Sequence, residues 1–190
     1  FTSTVFIERE DFQEVASPGF KRLSLGGTVR HRYACIIRCV DVVRDDQGNV
    51  TELKCEVVPN SRSGSDTSGV KVKGTIHWVS ATEGKTAEVR MYDRLFQTPI
   101  PGEGGGNFLE DLNPESERRI SNAVVEPAFA TMAADRRFQF TRTGYFWQDP
   151  EESSLEKPVF NQIVGLRNSW AQKSETKPTP ITTKPDAPTH

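Results

Sequence analysis

The chain has 190 residues, 26% of them charged, and a formal net charge of −2, so it offers room for one large domain or two small ones and no bulk positive charge that would advertise a nucleic-acid partner. Its three cysteines lack C-x-x-C spacing, which argues against a disulfide framework and a zinc ribbon and fits a reducing cytosol. No stretch approaches about 18 consecutive apolar residues, and the opening FTSTVFIERED lacks the basic start and apolar run of a secretory signal, so a membrane partner is not expected and the expected location is cytoplasmic.

In chain order, TVFIER reads as a strand directly after Phe1, which suggests a fragment of a longer polypeptide. From Thr28 to Val43 a long run places Val29, Tyr33, Cys35, Ile37 and Cys39 on one parity, expected to face a core. The segment DDQGN, residues 45–49, has turn chemistry, and in VTELKCEVV the residues Leu53, Cys55 and Val57 alternate with Glu52, Lys54 and Glu56. Together these predict a long β-hairpin. After the polar loop SRSGSDTSG, the segment VKVKGTIHWVS, the turn ATEGK and the run TAEVRMYDRLF predict a second hairpin with Ala87, Val89 and Met91 on one face.

PIPGEGGGN breaks the pattern and marks a junction. Asn113 as N-cap, Pro114 at the first helical position and acidic Glu115 and Glu117 predict a short helix to about Ala123. Strand character returns in RRFQFTRTGYFW (136–147) and PVFNQIVGLR (158–167), and the Pro/Thr-rich tail from Lys173 reads as disordered or as a linker. Short strands without a βαβ rhythm point to a mainly β fold of two small antiparallel barrels with one or two short helices.

Catalytic chemistry finds little support in the sequence. The glycines at 102, 104, 105 and 106 are followed by no Lys-Ser or Lys-Thr, His31, His77 and His190 lack metal-ligand spacing, and no nucleophile elbow occurs. Cys35 and Cys39 read as small buried hydrophobes. Asp45/Asp46 and Glu151/Glu152 fall in predicted turns, where carboxylates are usually solvated.

The basic residues carry more information. Arg30 and Arg32 lie two apart on a predicted strand, with Arg38 on the same parity, and a spacing of about 7 Å suits neighbouring phosphates or splayed nucleotides. Lys21 and Arg22 lie just upstream, Lys71 and Lys73 share a face, and Arg142 and Arg167 close later strands beside Tyr145, Phe146 and Trp170. Guanidinium groups and flat rings suit unstacked bases, although a solvated strand face would show the same pattern.

Seven segments occurring in this order, namely IEREDF, KRLSLGGTVRHRYA, KVKGTIHWVSA, AEVRMYDRLF, LNPES, FQFTRTGYF and KPVFNQIVGLRNSW, resemble glutaminyl-tRNA synthetases over nearly the whole chain, from about Val5 to Trp170. The resemblance implies a C-terminal half of two β-barrels that grips the anticodon loop of glutamine tRNA. It implies a proximal barrel from residues 1–23 and 110–172, incomplete at its start, a distal barrel from 24–109, and a tail from 173–190 that is disordered or a linker, as in family members that carry an additional RNA-binding module. A separate catalytic half of the same polypeptide would use ATP with magnesium to attach glutamine, so this part carries no catalytic residue, metal or cofactor of its own, and the enzyme is expected to be a monomer.

Carried over by motif, Lys21 and Arg22 resemble the pair that contacts the third anticodon base, and Arg30 and Arg32 the arginines at the first. Gln139 and Arg142 resemble residues of the middle, uridine-binding pocket, and Arg167 another loop contact; the implied triplets are CUG and UUG. Ser17-Pro18-Gly19 departs from the family pattern and removes one base contact. Gln139 and Arg142 have opposite strand parity, so sharing a pocket requires a bulge or turn near Thr143-Gly144. The competing readings are the anticodon domain of a glutamyl-tRNA synthetase, a ribosomal-RNA-binding barrel, and a protein-interaction module docking through edge strands.

Overall fold

Apolar runs interrupted by glycine and proline leave little room for long elements at the start of the chain. In the computed structural model, which describes residues 2–131 and 136–166, the first three strands are two residues each: β1 (Val5–Phe6), β2 (Phe12–Gln13) and β3 (Leu23–Ser24). The alternating run that follows resolves into β4 (Thr28–His31), β5 (Ile36–Arg44) and β6 (Val50–Val57). The expected single strand from 28 to 43 is therefore two, folded back on each other with Val29 opposite Ile37. The reversal falls at Arg32–Ala34, where Tyr33 adopts φ 59° and is 86% exposed, so Tyr33 leaves the core face that its parity assigned to it.

The β5–β6 hairpin forms around the expected turn. Oδ1 of Asp45 accepts the amides of Gln47 and Asn49 at 3.0 and 2.8 Å, and Gly48 takes φ 83°. Register shifts after Cys39 and Val43 disturb the alternation. Leu53 packs on the core, whereas Cys55 and Val57, of the same parity, are exposed.

The expected second hairpin is absent. The strand β7 (Thr75–Ile76) runs parallel to β4, and β8 (Val79–Ser80) pairs with β1. A backbone approach holds this crossing, since a Cβ on Gly74 would stand 1.8 Å from the Lys21 carbonyl oxygen. Trp78 adds a tie, its indole Nε1 donating to the Arg32 carbonyl at 2.9 Å.

The strand β9 (Lys85–Tyr92) instead joins β10 (Glu117–Val125), β11 (Arg137–Phe140), β12 (Gly144–Gln148) and β13 (Val159–Gly165) in a five-stranded sheet ordered β10-β9-β13-β12-β11. Residues 85–92 thus share a sheet with 117–165, whereas the sequence placed them with 24–84. Most ladders are antiparallel, but β2–β3, β4–β7 and β9–β13 are parallel, so the fold is mainly β with mixed sheets. The predicted helix from Asn113 is the strand β10. Asn113 caps nothing helical: its Oδ1 accepts the Glu115 amide at 3.2 Å, its Nδ2 donates to the Arg94 carbonyl at 3.0 Å, and the chain turns into the edge offered by β9. Among the described residues the helical pieces are short 3₁₀ segments, such as Arg9–Asp11.

Two cores result. One joins Phe12, Leu23, Val29, Ile37, Cys39 and Ile76, and the other Ala87, Val89, Val125, Phe146 and Phe160. Around the second core Phe140 stacks on Phe146 at 4.3 Å and Phe129 meets Phe160 edge-on at 5.2 Å. Burying each such ring contributes roughly 1.5–3 kcal/mol. The tail from Lys173 lies outside the described residues.

Candidate nucleic-acid interface

An open cleft of about 1110 Å³ is lined by β1 and β8 and by parts of β9, β10 and β11. Four of the candidate residues reach it from separate parts of the chain: Arg22, Arg32, Gln139 and Arg142. Each is delivered by a different local device.

Arg142 is delivered by a turn. The strand β11 ends at Phe140, and residues 141–143 reverse the chain into β12, with the Thr143 amide donating to the Phe140 carbonyl at 2.9 Å and Arg142 itself at φ 68°. A short hairpin loop commonly contains one left-handed residue, and it resolves the parity conflict with Gln139, because the two no longer sit on one strand. At the start of β12 only glycine fits, since a Cβ on Gly144 would lie 2.5 Å from the Val164 carbonyl oxygen.

The Arg142 guanidinium grips Asp11 through two parallel hydrogen bonds, Nη1 to Oδ1 at 2.7 Å and Nη2 to Oδ2 at 2.6 Å. Arg22 approaches the same carboxylate, Nη1 to Oδ1 at 3.1 Å, and donates to the Glu10 carbonyl at 3.1 Å. The Asp11 side chain is fully buried and closes a 3₁₀ turn with its amide on the Glu8 carbonyl at 2.9 Å. A buried carboxylate is tolerable only when paired, and a bidentate arginine with a second arginine supplies that pairing. The bond to Asp11 raises the Arg142 pKa above its ordinary value against the opposing effect of burial, helped by Glu8 and Glu10. Both arginines are about one-third exposed, so each is held from behind by Asp11 and open to the cleft in front.

Gln139 lies opposite Tyr145 on β11 with an exposed side chain, presenting an amide donor and acceptor. Arg32 leaves β4 at the reversal, its Cζ 5.8 Å from the Tyr33 ring centroid. Next to Arg32 in the chain His31, 2% exposed, stacks on Trp78 at 6.0 Å, and burial lowers its pKa to about 4.

The remaining candidates fall elsewhere. Arg30 does not line the cleft: its Nη1 donates to the Ser61 carbonyl at 2.8 Å and its Nη2 pairs with Asp66, fastening the 61–66 loop to β4. The Asp66 carboxyl is held below its usual range, chiefly by Ser68 and then by Arg30. Arg30 and Arg32 are therefore engaged differently: Arg32 lines the cleft, whereas Arg30 is held by the Ser61 carbonyl and Asp66. Lys21 lines a smaller groove of about 210 Å³ that it shares with Arg22, Lys71 and Lys73. Among the described residues no carboxylate pairs with Lys21, Lys71 or Lys73, in contrast to Arg30, Arg44, Arg90 and Arg142. Arg167 lies outside the described residues.

Asp11 and Tyr33 were missed by sequence reasoning. Asp11 sits in the acidic run E-R-E-D, where only the buried Phe12 beside it hints at an inward-facing neighbour. Among the described residues no group of three or more His, Cys, Asp and Glu is placed to hold a metal ion, and no helix is long and apolar enough to cross a membrane. The cleft mixes Arg22, Arg32 and Arg142 with Glu8, Glu10 and an amide, an arrangement suited to reading polar edges rather than attracting any polyanion.

Two family models match the chain, over residues 1–58 and 75–149, and both describe the anticodon-binding domain of class I tRNA synthetases for glutamate and glutamine. Among curated relatives, the chain is 48% identical over 172 residues to a glutamine–tRNA ligase of Ralstonia pickettii, covering 90% of this chain and 30% of the relative. It is 47% identical over 174 residues to that of Stutzerimonas stutzeri (90% and 31%) and 46% identical over 172 residues to that of Nitrosomonas europaea (89% and 30%). The chain thus spans about 30% of the length of the relatives it matches.

Proposed function

Since this chain belongs to the anticodon-binding domains of the class I tRNA synthetases for glutamate and glutamine, we propose that it reads the anticodon loop of glutamine tRNA, CUG or UUG, for a glutamine–tRNA ligase. The observation that carries the reading is the convergence of Arg22, Arg32, Gln139 and Arg142 on one cleft, with Asp11 fixing two of them. The relatives matched are glutamine–tRNA ligases, which supports glutamine over glutamate.

In this reading the Gln139 amide donates to and accepts from the edge of the middle uridine, while Arg142 supplies a rigid donor fork beside it. Arg22, with Lys21 at the neighbouring groove, serves the third base, and Arg32 the first. Arg30 supports the first-base site through the loop it fastens. Each well-made base contact contributes about 1–3 kcal/mol of discrimination, on the scale set by bidentate contacts to DNA. ATP, magnesium and the attachment of glutamine belong to a catalytic half of the same polypeptide, which works as a monomer in the cytoplasm, and Arg167 adds a further loop contact.

The test is titration of labelled anticodon stem-loops carrying CUG, UUG and the glutamate triplet UUC at several salt concentrations, with Arg32→Ala and Gln139→Ala alongside. Tighter binding of CUG and UUG, weakened by both substitutions, is the expected result. Preference for UUC would reassign the chain to glutamate tRNA, and equal, steeply salt-dependent binding of all three would reduce the interaction to phosphate contacts.

A further inference from the structure

Among the described residues three non-glycine side chains sit at left-handed backbone angles: Tyr33 at φ 59°, Asn60 at 57° and Arg142 at 68°. Asparagine tolerates that region, whereas a bulky ring there is a genuine outlier whose cost the surroundings must offset. Arg142 has a visible reason for its conformation, the two bonds to Asp11. Tyr33 has none inside the fold, because its ring is 86% exposed and its hydroxyl has no hydrogen-bond partner among the described residues.

The turn that imposes this conformation is nonetheless rigidly held. The Ala34 amide donates to the His31 carbonyl and the His31 amide to the Cys35 carbonyl, each at 3.0 Å, while Trp78 anchors the Arg32 carbonyl at 2.9 Å. Under the turn lies the buried stack of His31 on Trp78. The result is a firm pedestal that lifts a flat ring into the cleft beside Arg32. Strained conformations that the surroundings enforce without benefit to the core gather at functional sites.

We propose that Tyr33 is a stacking platform for one unstacked base of the bound RNA loop, at the Arg32 end of the cleft. The inference rests on the RNA-binding reading above and adds a residue to it. Every base has a π-face, so such a platform contributes affinity while tolerating sequence, and Arg32 beside it supplies the polar discrimination. The guanidinium near the ring also limits the orientations the tyrosine can take.

The experiment compares the 190-residue chain with its Tyr33→Phe and Tyr33→Gly variants, measuring binding of the CUG and UUC stem-loops and thermal unfolding of each protein. Tyr33→Phe is expected to bind within about twofold of the parent, and Tyr33→Gly roughly 5- to 100-fold more weakly. Tyr33→Gly should unfold no earlier than the parent, because glycine adopts φ 59° without steric cost. Undiminished binding by Tyr33→Gly, a loss in Tyr33→Phe as large as in Tyr33→Gly, or a lowered midpoint in Tyr33→Gly would each overturn the proposal. Equal binding of CUG and UUC by the parent would sink the anticodon reading while leaving the Tyr33 comparison decisive on whichever RNA binds. A parent chain that binds no RNA would overturn both.

Discussion

Arg142 meets Asp11 across 131 positions of sequence, its two terminal guanidinium nitrogens each donating to one carboxylate oxygen. Neither residue is placed well without the other, because the carboxylate is fully buried and the arginine stands at a strained turn. Asp11→Asn removes the anionic anchor of Arg142 and Arg22 together. It should cost about 2–3 kcal/mol of stability, below the usual range for breaking a buried pair because both arginines stay partly hydrated. Urea unfolding measures the loss, and stem-loop titration should show weaker discrimination at the middle and third anticodon bases. Full stability and selectivity in Asp11→Asn would mean the pair is incidental.

Arg30 and Arg32 invite a direct comparison, being two residues apart and engaged differently. Arg32→Ala should weaken cognate RNA binding about tenfold or more, the scale of one good polar contact. Arg30→Ala should act mainly on the fold, releasing the 61–66 loop and lowering the thermal midpoint slightly, as loss of a solvent-screened ion pair does. Equal losses of affinity in the two variants, with unchanged thermal midpoints, would place Arg30 at the RNA instead.

His31 makes the fold sensitive to mild acid. In the unfolded chain an imidazole takes its proton near pH 6.5, whereas burial lowers that value to about 4 in the folded protein. Between those limits the unfolded state binds more protons, so stability falls as pH drops from 6.5 towards 4 and levels off below it. The full effect amounts to roughly 3 kcal/mol. Urea midpoints at pH 7, 5.5 and 4.5 should show the slope, and His31→Phe should flatten it in the upper part of the window, before the carboxylates titrate. A slope unchanged in His31→Phe would assign it to another group.

Lys71 and Lys73 line the groove with Lys21, and an ammonium group, a compact point charge, suits a phosphate better than a base edge. The double variant Lys71→Ala/Lys73→Ala should bind every stem-loop more weakly, with the preference for CUG over UUC retained. Its salt dependence should be shallower by about 1.4 in the slope of log K against log salt, if each lysine neutralises one single-strand phosphate. An unchanged slope would remove both lysines from the interface.

What could be read in the sequence depended on the range of the interactions involved. The turn at 45–49 was legible because Asp45 satisfies it with its own neighbours. The helix expected from Asn113 failed because an equally local signature, Asn-Pro-Glu, was outweighed by pairing with β9 some 30 residues earlier. Tyr33 was assigned to a core because parity counting assumes an unbroken strand, and no glycine, proline or asparagine marks the reversal at Arg32–Ala34. The site residues came from motif resemblance, and the structure brings four of them to one cleft. Asp11 was invisible for a simpler reason: a buried acid is intelligible only beside its arginines, and one of them is 131 residues away.

The position of β9 inside its sheet also bears on how the chain is made. This strand carries the buried residues Ala87, Glu88, Val89 and Arg90, yet its partners are β10 and β13, the latter reaching it only at Val159–Asn161. At a synthesis rate of roughly 5–20 residues per second, β9 waits several seconds after emerging before its second edge can be covered. During that interval the alternation of Glu88 and Arg90 with the apolar residues keeps an unpaired edge charged, which discourages association with another nascent chain. In the folded chain Arg90 pairs with Glu88 on its own strand and with Glu152 from the segment between β12 and β13, so the same charges end up neutralised.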